Sequence, residues 1–442
     1  MNDNNEIEKD IPREEISILN KILNSKLEEL KKGTVEVLSQ QQNPDSPLYS
    51  ADSFYSLRLK KELLDRLPEI NYLMPSNIQG TALPLLLQEP ASDLIAQSQS
   101  GTGKTATFVL TMLHKIDISR HVPQCICMAP TLELAKQIGE VVSNLGAKIE
   151  GLKIFYAIKE NIPTEPIKSH IVIGTPGTVF KLTTKIPVLL DLSNIICFVL
   201  DEADVMVSTQ GYQTMSVLIH KKIVTQSPKV QTMLFSATFE EDVKKLATVL
   251  VPNAIILSIK KELLALDNIK QYYVKCQSRE DKYIALCNLY GALTIASTII
   301  FTHTKASSDW ITNKLEANGR KVLRLHGNLS AQERIDTVRA FREEKARVLV
   351  TTNVAARGLD FPQVTLVINY DLPLNSKNEP DFDVYYHRIG RTGRFGKFGI
   401  AINFIDSQES MSQMLAIQNY FNKEIVPLDT ANFDEVEAIQ NS

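Results

Sequence analysis

Ser98-Gln99-Ser100-Gly101-Thr102-Gly103-Lys104-Thr105 sits between the apolar run Leu94-Ile95-Ala96 and the apolar-rich stretch Ala106-Thr107-Phe108-Val109-Leu110. That order predicts a strand, a glycine loop and the start of a helix. Gly101 and Gly103 permit backbone conformations and close approaches that a Cβ would block. The loop can then aim several N–H groups at one phosphate, with the positive end of the helix dipole behind them. Ser100, Gly101, Thr102 and Gly103 would form the cradle. Lys104 would reach the β- and γ-phosphates, and the Thr105 hydroxyl would hold Mg²⁺. The general pattern asks for glycine where Ser98 stands, so a plain glycine-rich turn is the competing reading. The flanking strand and helix favour phosphate.

The chain has 442 residues, enough for two or three domains. Hydrophobic residues make up 44% and charged residues 22%, as in ordinary globular protein. No apolar run is long enough to span a bilayer, and Met1-Asn2-Asp3-Asn4-Asn5 is polar, so neither membrane insertion nor a secretory signal is expected. Of the five cysteines, Cys125 and Cys127 alternate within an apolar run and read as buried thiols. A net charge of −3 argues against a purely electrostatic nucleic-acid binder, though not against a basic groove.

Residues 1–52 read as an extension. Within it, Ile16, Leu19, Leu23, Leu27 and Leu30 fall on one face of a helix over 15–32. Residues 40–47 (QQQNPDSP) read as a polar linker. From 53 to 262 apolar runs alternate with helical patterns, with strands expected at 94–96, 125–129, 171–174, 198–200, 233–235 and 255–257. They are continuously apolar, as strands buried on both faces are. The first five run into polar or glycine-containing motifs, which parallel α/β sheets gather at their carboxyl edge. A polar stretch near 260–268 leads to a second alternating region, 268–442. Its expected strands are 271–274, 298–301, 322–325, 348–350, 366–369 and 399–404. The fold class is α/β: two parallel sheets flanked by helices and joined by a short linker.

Val199-Leu200-Asp201-Glu202-Ala203-Asp204 is the second decisive motif. A carboxylate at a strand's end can hold Mg²⁺ opposite Thr105, which fits Asp201. Glu202, next in line, can orient or deprotonate an attacking water. Adjacent acids are more often a solvated loop. Here they follow an apolar strand downstream of a phosphate loop, and ATP chemistry is the better reading.

Asp201-Glu202-Ala203-Asp204 spells the signature of the DEAD-box RNA helicases, and the chain resembles that family. Ser236-Ala237-Thr238 is similar to its coupling motif and Ala356-Arg357-Gly358-Leu359-Asp360 to another late motif. His387-Arg388-Ile389-Gly390-Arg391-Thr392-Gly393-Arg394 resembles its arginine-finger motif. Further stretches, among them Asp204-Val205-Met206, Ile269-Lys270-Gln271-Tyr272-Tyr273-Val274 and Pro47-Leu48-Tyr49-Ser50, resemble the branch acting in mRNA export at the nuclear pore.

The resemblance implies two RecA-like domains and an RNA-stimulated ATPase that remodels RNA or RNA–protein complexes. It places Gln79 at the adenine edge, with Tyr72 and Phe54 as the aromatics of that site. A glutamine amide offers adenine both a donor and an acceptor. Phe54 reads equally as a core anchor. Arg391 and Arg394 match the two fingers that reach the γ-phosphate from the second domain, and Asp360 a ribose contact. Ser236, Thr238 and His387 match coupling residues. Pro130, Thr131, Thr175, Pro176, Gly177, Gly327, Arg334 and Thr352 match RNA contacts. The implied partners are single-stranded RNA or messenger ribonucleoprotein, a nucleoporin propeller, and an export activator that uses inositol hexakisphosphate. The implied state is a monomer in cytoplasm and nucleus with pore association, and the 15–32 helix would hold the domains apart.

Two departures stand out. Leu132 occupies the place of a backbone-contacting arginine, and the glycine-containing RNA loop expected near Lys159-Glu160 is replaced by a shortened segment to Ser169. Both predict a weakened RNA set in the first domain. An RNA clamp without turnover would need a damaged ATP set, which is not seen. A DNA helicase is disfavoured by Gln79 and the DEAD signature, and a GTPase by the lack of an Asn-Lys-x-Asp motif.

Overall fold

The computed structural model describes residues 35–39, 51–97, 102–209, 211–238, 241–251, 254–259, 268–293, 297–353, 359–375, 377–393 and 398–441. The helix expected over 15–32, the phosphate-loop residues Ser100 and Gly101, and Arg394 lie outside them.

The first sheet contains β1 (Val35–Ser39), β2 (Leu94–Gln97), β3 (Cys125–Met128), β4 (Ile154–Ala157), β5 (Ile171–Gly174), β6 (Cys197–Leu200), β7 (Gln231–Ser236) and β8 (Ile255–Ile259). Their order across the sheet is β1-β8-β2-β7-β6-β3-β5-β4. All neighbours pair in parallel except β1, which runs antiparallel to β8 with Val35 opposite Ile259. The stretch expected to be a mere extension therefore supplies an edge strand. β4 was also missed. It is an edge strand whose first three residues are only half-buried, so it lacks the continuously apolar signature of β2, β3, β5 and β6, which are buried throughout.

The second sheet contains β9 (Ile269–Lys275), β10 (Ser297–Phe301), β11 (Val322–Leu325), β12 (Val348–Thr351), β13 (Val364–Asn369), β14 (Gly399–Ile405) and β15 (Val426–Pro427), in the order β11-β12-β10-β13-β14-β9-β15, all parallel. Apolar clusters fill the layers between each sheet and its helices. One cluster joins the domains, packing Ala237 of the first against Ile269, Leu372, Tyr385 and Ile389 of the second. Among the described residues no helix is long and apolar enough to cross a membrane.

This topology sorts the motif residues. The phosphate loop, Asp201-Glu202 and Ser236 follow or end β2, β6 and β7, which are near neighbours in the sheet. Pro130-Thr131 and Thr175 follow the adjacent strands β3 and β5. Gly327 and Thr352 follow the adjacent strands β11 and β12. Every one stands at a carboxyl edge, where parallel α/β sheets place their ligands.

Candidate functional site between the domains

The phosphate loop's second glycine begins the helix Lys104–Lys115 with φ +104°, a left-handed conformation that excludes most side chains. A Cβ there would also lie 2.5 Å from Gln79 Nε2. Gln79 is buried. Its Oε1 accepts the Ser76 N–H at 2.9 Å, closing a capping box at the helix Asn77–Leu87, and its Nε2 donates to the Gly103 carbonyl at 3.3 Å. The residue expected at the adenine edge is thus tied to the phosphate loop. Phe54 is buried in the core beside Leu57, Leu59 and Leu63, as the core-anchor reading expects. Tyr72 is half-buried. Burial raises its phenol pKa, and the negative charge of Asp360 from the second domain adds to the effect.

Asp201, Glu202 and Asp204 are all buried. Burial pushes the Asp201 carboxyl up to about 7; repulsion from Glu202 adds to this and Lys104 opposes it. Glu202 adopts φ 51° and ψ 55°, a strained left-handed backbone for a non-glycine residue. Its N–H donates to Asp201 Oδ1 at 3.0 Å, while its buried Oε2 has no hydrogen-bond partner among the described residues. Two adjacent buried carboxylates, one with an unpartnered oxygen and a lysine nearby, suit a divalent cation and a water more than a closed protein network.

Asp204 is the hub between the domains. Its Oδ2 accepts from His387 Nε2 at 2.9 Å and from Thr238 Oγ1 at 3.3 Å, and its N–H donates to Ser236 Oγ at 3.3 Å. Thr238 Oγ1 also lies 3.5 Å from Asp383 Oδ2. Thr238 and His387 thus meet on the Asp204 carboxylate and Ser236 on its main chain, so the three residues matched to coupling converge on one residue to which the sequence alone assigned no role. The helix Phe382–Ile389 carries His387 toward the first domain and Arg388 into the second. Arg388 is fully buried. It donates to Asn353, Asn369 and the Asp371 carbonyl, and burial pulls its pKa down to about 9. Arg391, also buried, donates through Nε to the His387 carbonyl at 3.0 Å and through Nη1 to the Leu359 carbonyl. Two main-chain acceptors thereby fix the plane of its guanidinium.

Two family descriptions match the chain: "DEAD/DEAH box helicase" over residues 76–246 and "Helicase conserved C-terminal domain" over residues 281–396. The Bos taurus ATP-dependent RNA helicase DDX19A is 48% identical over 427 residues, covering 96% of this chain and 88% of the relative. The Rattus norvegicus ATP-dependent RNA helicase DDX25 is 47% identical over 426 residues, covering 96% and 86%. The chain belongs to the DEAD-box RNA helicases. It is an ATP-dependent RNA helicase, and the carboxylates and lysine described above lie in its ATP-hydrolysing domain pair. The solved structure of S. cerevisiae Dbp5 bound to RNA and ADP BeF3 superimposes with a TM-score of 0.83 at 42% identity, covering 88% of this helicase and 99% of that chain. A Dbp5 structure with Nup159, Gle1, IP6 and ADP gives only 0.64 at 41% identity, with 87% and 98% covered. Identity and coverage are nearly equal, so the difference lies in shape, and the chain superimposes better on the structure solved with RNA and ADP BeF3.

The residues of the helicase matched to RNA contacts fall into two groups. Thr131 caps the helix Leu132–Leu145 by accepting the Leu134 N–H at 3.2 Å, and Thr175 and Pro176 begin the helix Pro176–Thr184. Among the described residues a Cβ on Gly177 or Gly327 would meet nothing closer than 3.7 Å, so neither glycine is required by the packing of those residues. Arg334, by contrast, is engaged across the domains: its Nη1 lies 2.9 Å from Oε1 of the buried Glu133. The angle is too poor for a hydrogen bond, since both Glu133 oxygens lack hydrogen-bond partners among the described residues. Leu132, where the family pattern has arginine, is buried. The segment replacing the glycine-containing loop is held by Ile158 and Ile167, both buried, and by the Ile167 N–H donating to the Leu189 carbonyl at 2.9 Å. Between these two anchors Lys159, Glu160, Asn161, Thr164, Glu165 and Pro166 are exposed.

Proposed function

We propose that this helicase works by a split ATP site that RNA helps to close, and that it serves mRNA export at the nuclear pore. The observation that carries the first part is the joint on Asp204, where His387 of one domain meets Thr238 and Ser236 of the other. A contact between domains beside the carboxylates makes hydrolysis depend on closure. ATP and RNA that each favour the closed form must strengthen each other's binding.

In this reading Lys104 binds the phosphates, Thr105 and Asp201 hold Mg²⁺, and Gln79 and Tyr72 take the adenine, with Asp360 on the ribose. When bound, Mg²⁺ offsets phosphate charge. Glu202 takes the proton of the attacking water, and Arg391 and Arg394 offset charge developing on the γ-phosphate. RNA lies along Pro130, Thr131, Thr175, Pro176, Gly177, Gly327 and Thr352, whose main-chain and hydroxyl groups suit phosphate and 2′-OH recognition without base specificity. Arg334 reaches RNA by exchanging Glu133 for a phosphate. The likeness to DDX19A and to Dbp5, solved with RNA and with Nup159, Gle1 and IP6, supports export as the setting and a nucleoporin and an IP6-dependent activator as partners.

The test is steady-state ATPase activity of the full chain with and without single-stranded RNA, at low salt because phosphate contacts are screened. RNA is expected to raise the rate about tenfold or more, the size of a typical coupling, and an equimolar Gle1-type activator with IP6 to raise it further. A rate unmoved by RNA overturns the coupled-site reading. A rate moved by RNA but indifferent to activator and IP6 overturns the export setting alone.

A further inference from the structure

A second joint links the domains away from Asp204, and its residues Gln137 and Glu140 belong to none of the motifs assigned above. The helix Leu132–Leu145 of the first domain lies beside the helix Ala331–Arg342 of the second. Glu133 meets Arg334 at 2.9 Å near their beginnings, and Glu140 Oε2 meets Arg342 Nη1 at 2.6 Å farther along. Each pair is separated from the next by about two helical turns, so the helices run in the same direction with matched spacing. Glu133, Gln137 and Glu140 are spaced four and three residues apart and share one face.

Gln137 stands between the two ion pairs. Its Oε1 accepts from the Asp360 N–H at 2.9 Å and from Arg342 Nη2 at 2.5 Å. Arg342 Nε in turn points at the Asp360 carbonyl at 3.4 Å. Both main-chain groups of Asp360 are therefore held, one by the first domain and one by an arginine that the first domain also holds. Within the second domain the arrangement is stiff. Phe341, beside Arg342, packs edge-on against Phe361, beside Asp360, with ring centroids 5.0 Å apart, and both rings are buried. Leu359, on the other side of Asp360, gives its carbonyl to Arg391.

We propose that Gln137 and Arg342 are positioning residues: a latch, made only when the domains close, that seats Asp360 and through Leu359 steadies the Arg391 guanidinium. The first-domain helix begins at Thr131, at the RNA side, and reaches Gln137 less than two turns later. One rigid element thus spans the RNA edge and the grip on Asp360. RNA that seats the start of the helix favours the latch, and the latch favours the catalytic arrangement. The inference rests on reading Asp360 and Arg391 as nucleotide-facing.

The test uses full-length Gln137→Ala, Gln137→Glu and Glu140→Gln beside the unaltered helicase. Four quantities are measured: RNA-stimulated kcat, affinity for single-stranded RNA with and without ADP-BeF3, ADP affinity, and melting temperature. Gln137→Ala removes an acceptor shared by two donors. It is expected to lower RNA-stimulated kcat about tenfold and to remove most of the nucleotide-dependent gain in RNA affinity. ADP affinity should stay within about twofold, because ADP does not demand closure. Gln137→Glu keeps the acceptor oxygen and should recover most of the activity. Glu140→Gln alters an exposed ion pair and should cost about twofold or less. The proposal is overturned if Gln137→Ala keeps its RNA-stimulated kcat within twofold. It is equally overturned if kcat falls only in step with melting temperature and ADP affinity, or if Gln137→Glu fails to recover. Absent RNA stimulation in the unaltered helicase would fail the site reading itself, whereas normal stimulation in both it and Gln137→Ala fails the latch alone.

Discussion

Glu202→Gln is expected to bind ATP and RNA together and to lose nearly all turnover. The carboxylate sits where its loss should be felt most. It is buried, its Oε2 has no hydrogen-bond partner among the described residues, and its backbone is held at φ 51°. A strained residue presenting an unsatisfied buried acceptor is one whose local cost is offset by what it does with a bound molecule. Glutamine keeps the shape and hydrogen-bonding length but cannot take a proton. General-base loss lowers the rate by about 10²–10⁴-fold. Binding should not weaken, because removing the Glu202 charge also relieves the repulsion it exerts on Asp201. Single-turnover hydrolysis in the presence of RNA, together with equilibrium RNA binding with ATP, checks both halves. Turnover within a few-fold of the unaltered helicase would remove Glu202 from its role.

Arg391→Lys is the second large effect. Arg391 is buried and uses Nε and Nη1 on the carbonyls of His387 and Leu359. A lysine keeps one positive charge but is a point donor. It cannot hold two main-chain acceptors while presenting charge in a fixed plane. Outside arginines in nucleotide hydrolases are worth about 10³–10⁵ in rate, and here Arg394 shares the task. A loss of about 10³-fold in RNA-stimulated kcat is expected, with ADP affinity little changed because ADP lacks the γ-phosphate. Because Arg391 anchors Leu359, melting temperature is measured in the same preparation. A kcat that falls less than tenfold in a folded variant contradicts the finger assignment.

The central strands were legible because burial on both faces makes them continuously apolar, and β2, β3, β5 and β6 show this fully. The strands that escaped notice are edges: β1 (Val-Glu-Val-Leu-Ser), half-buried β4 and two-residue β15. An edge strand buries less, so its sequence carries less of the pattern. The candidate ATP residues could be named from the sequence because phosphate chemistry asks for particular residue types at particular places, as at Gly103 and Lys104. Asp204 was spelled out in the motif, yet its role became visible only when His387, 183 positions away, was seen on its carboxylate. Gln137 and Arg342 gave no signal at all. Each is a polar residue on an amphipathic helix, where solvent is the ordinary partner, and the Gln137 contact to Asp360 spans 223 positions. Contacts between domains are set by how two finished folds meet, and local periodicity does not record that.

The most direct measurement is the affinity of the full-length helicase for single-stranded RNA, at fixed low salt, with ADP-BeF3, with ADP and with no nucleotide. A cleft that ATP and RNA close together must bind RNA about tenfold or more tightly with ADP-BeF3 than with ADP. Equal affinities in all three conditions would mean that the joints at Asp204 and at Gln137 do not connect the two sites, and the coupled account would be wrong.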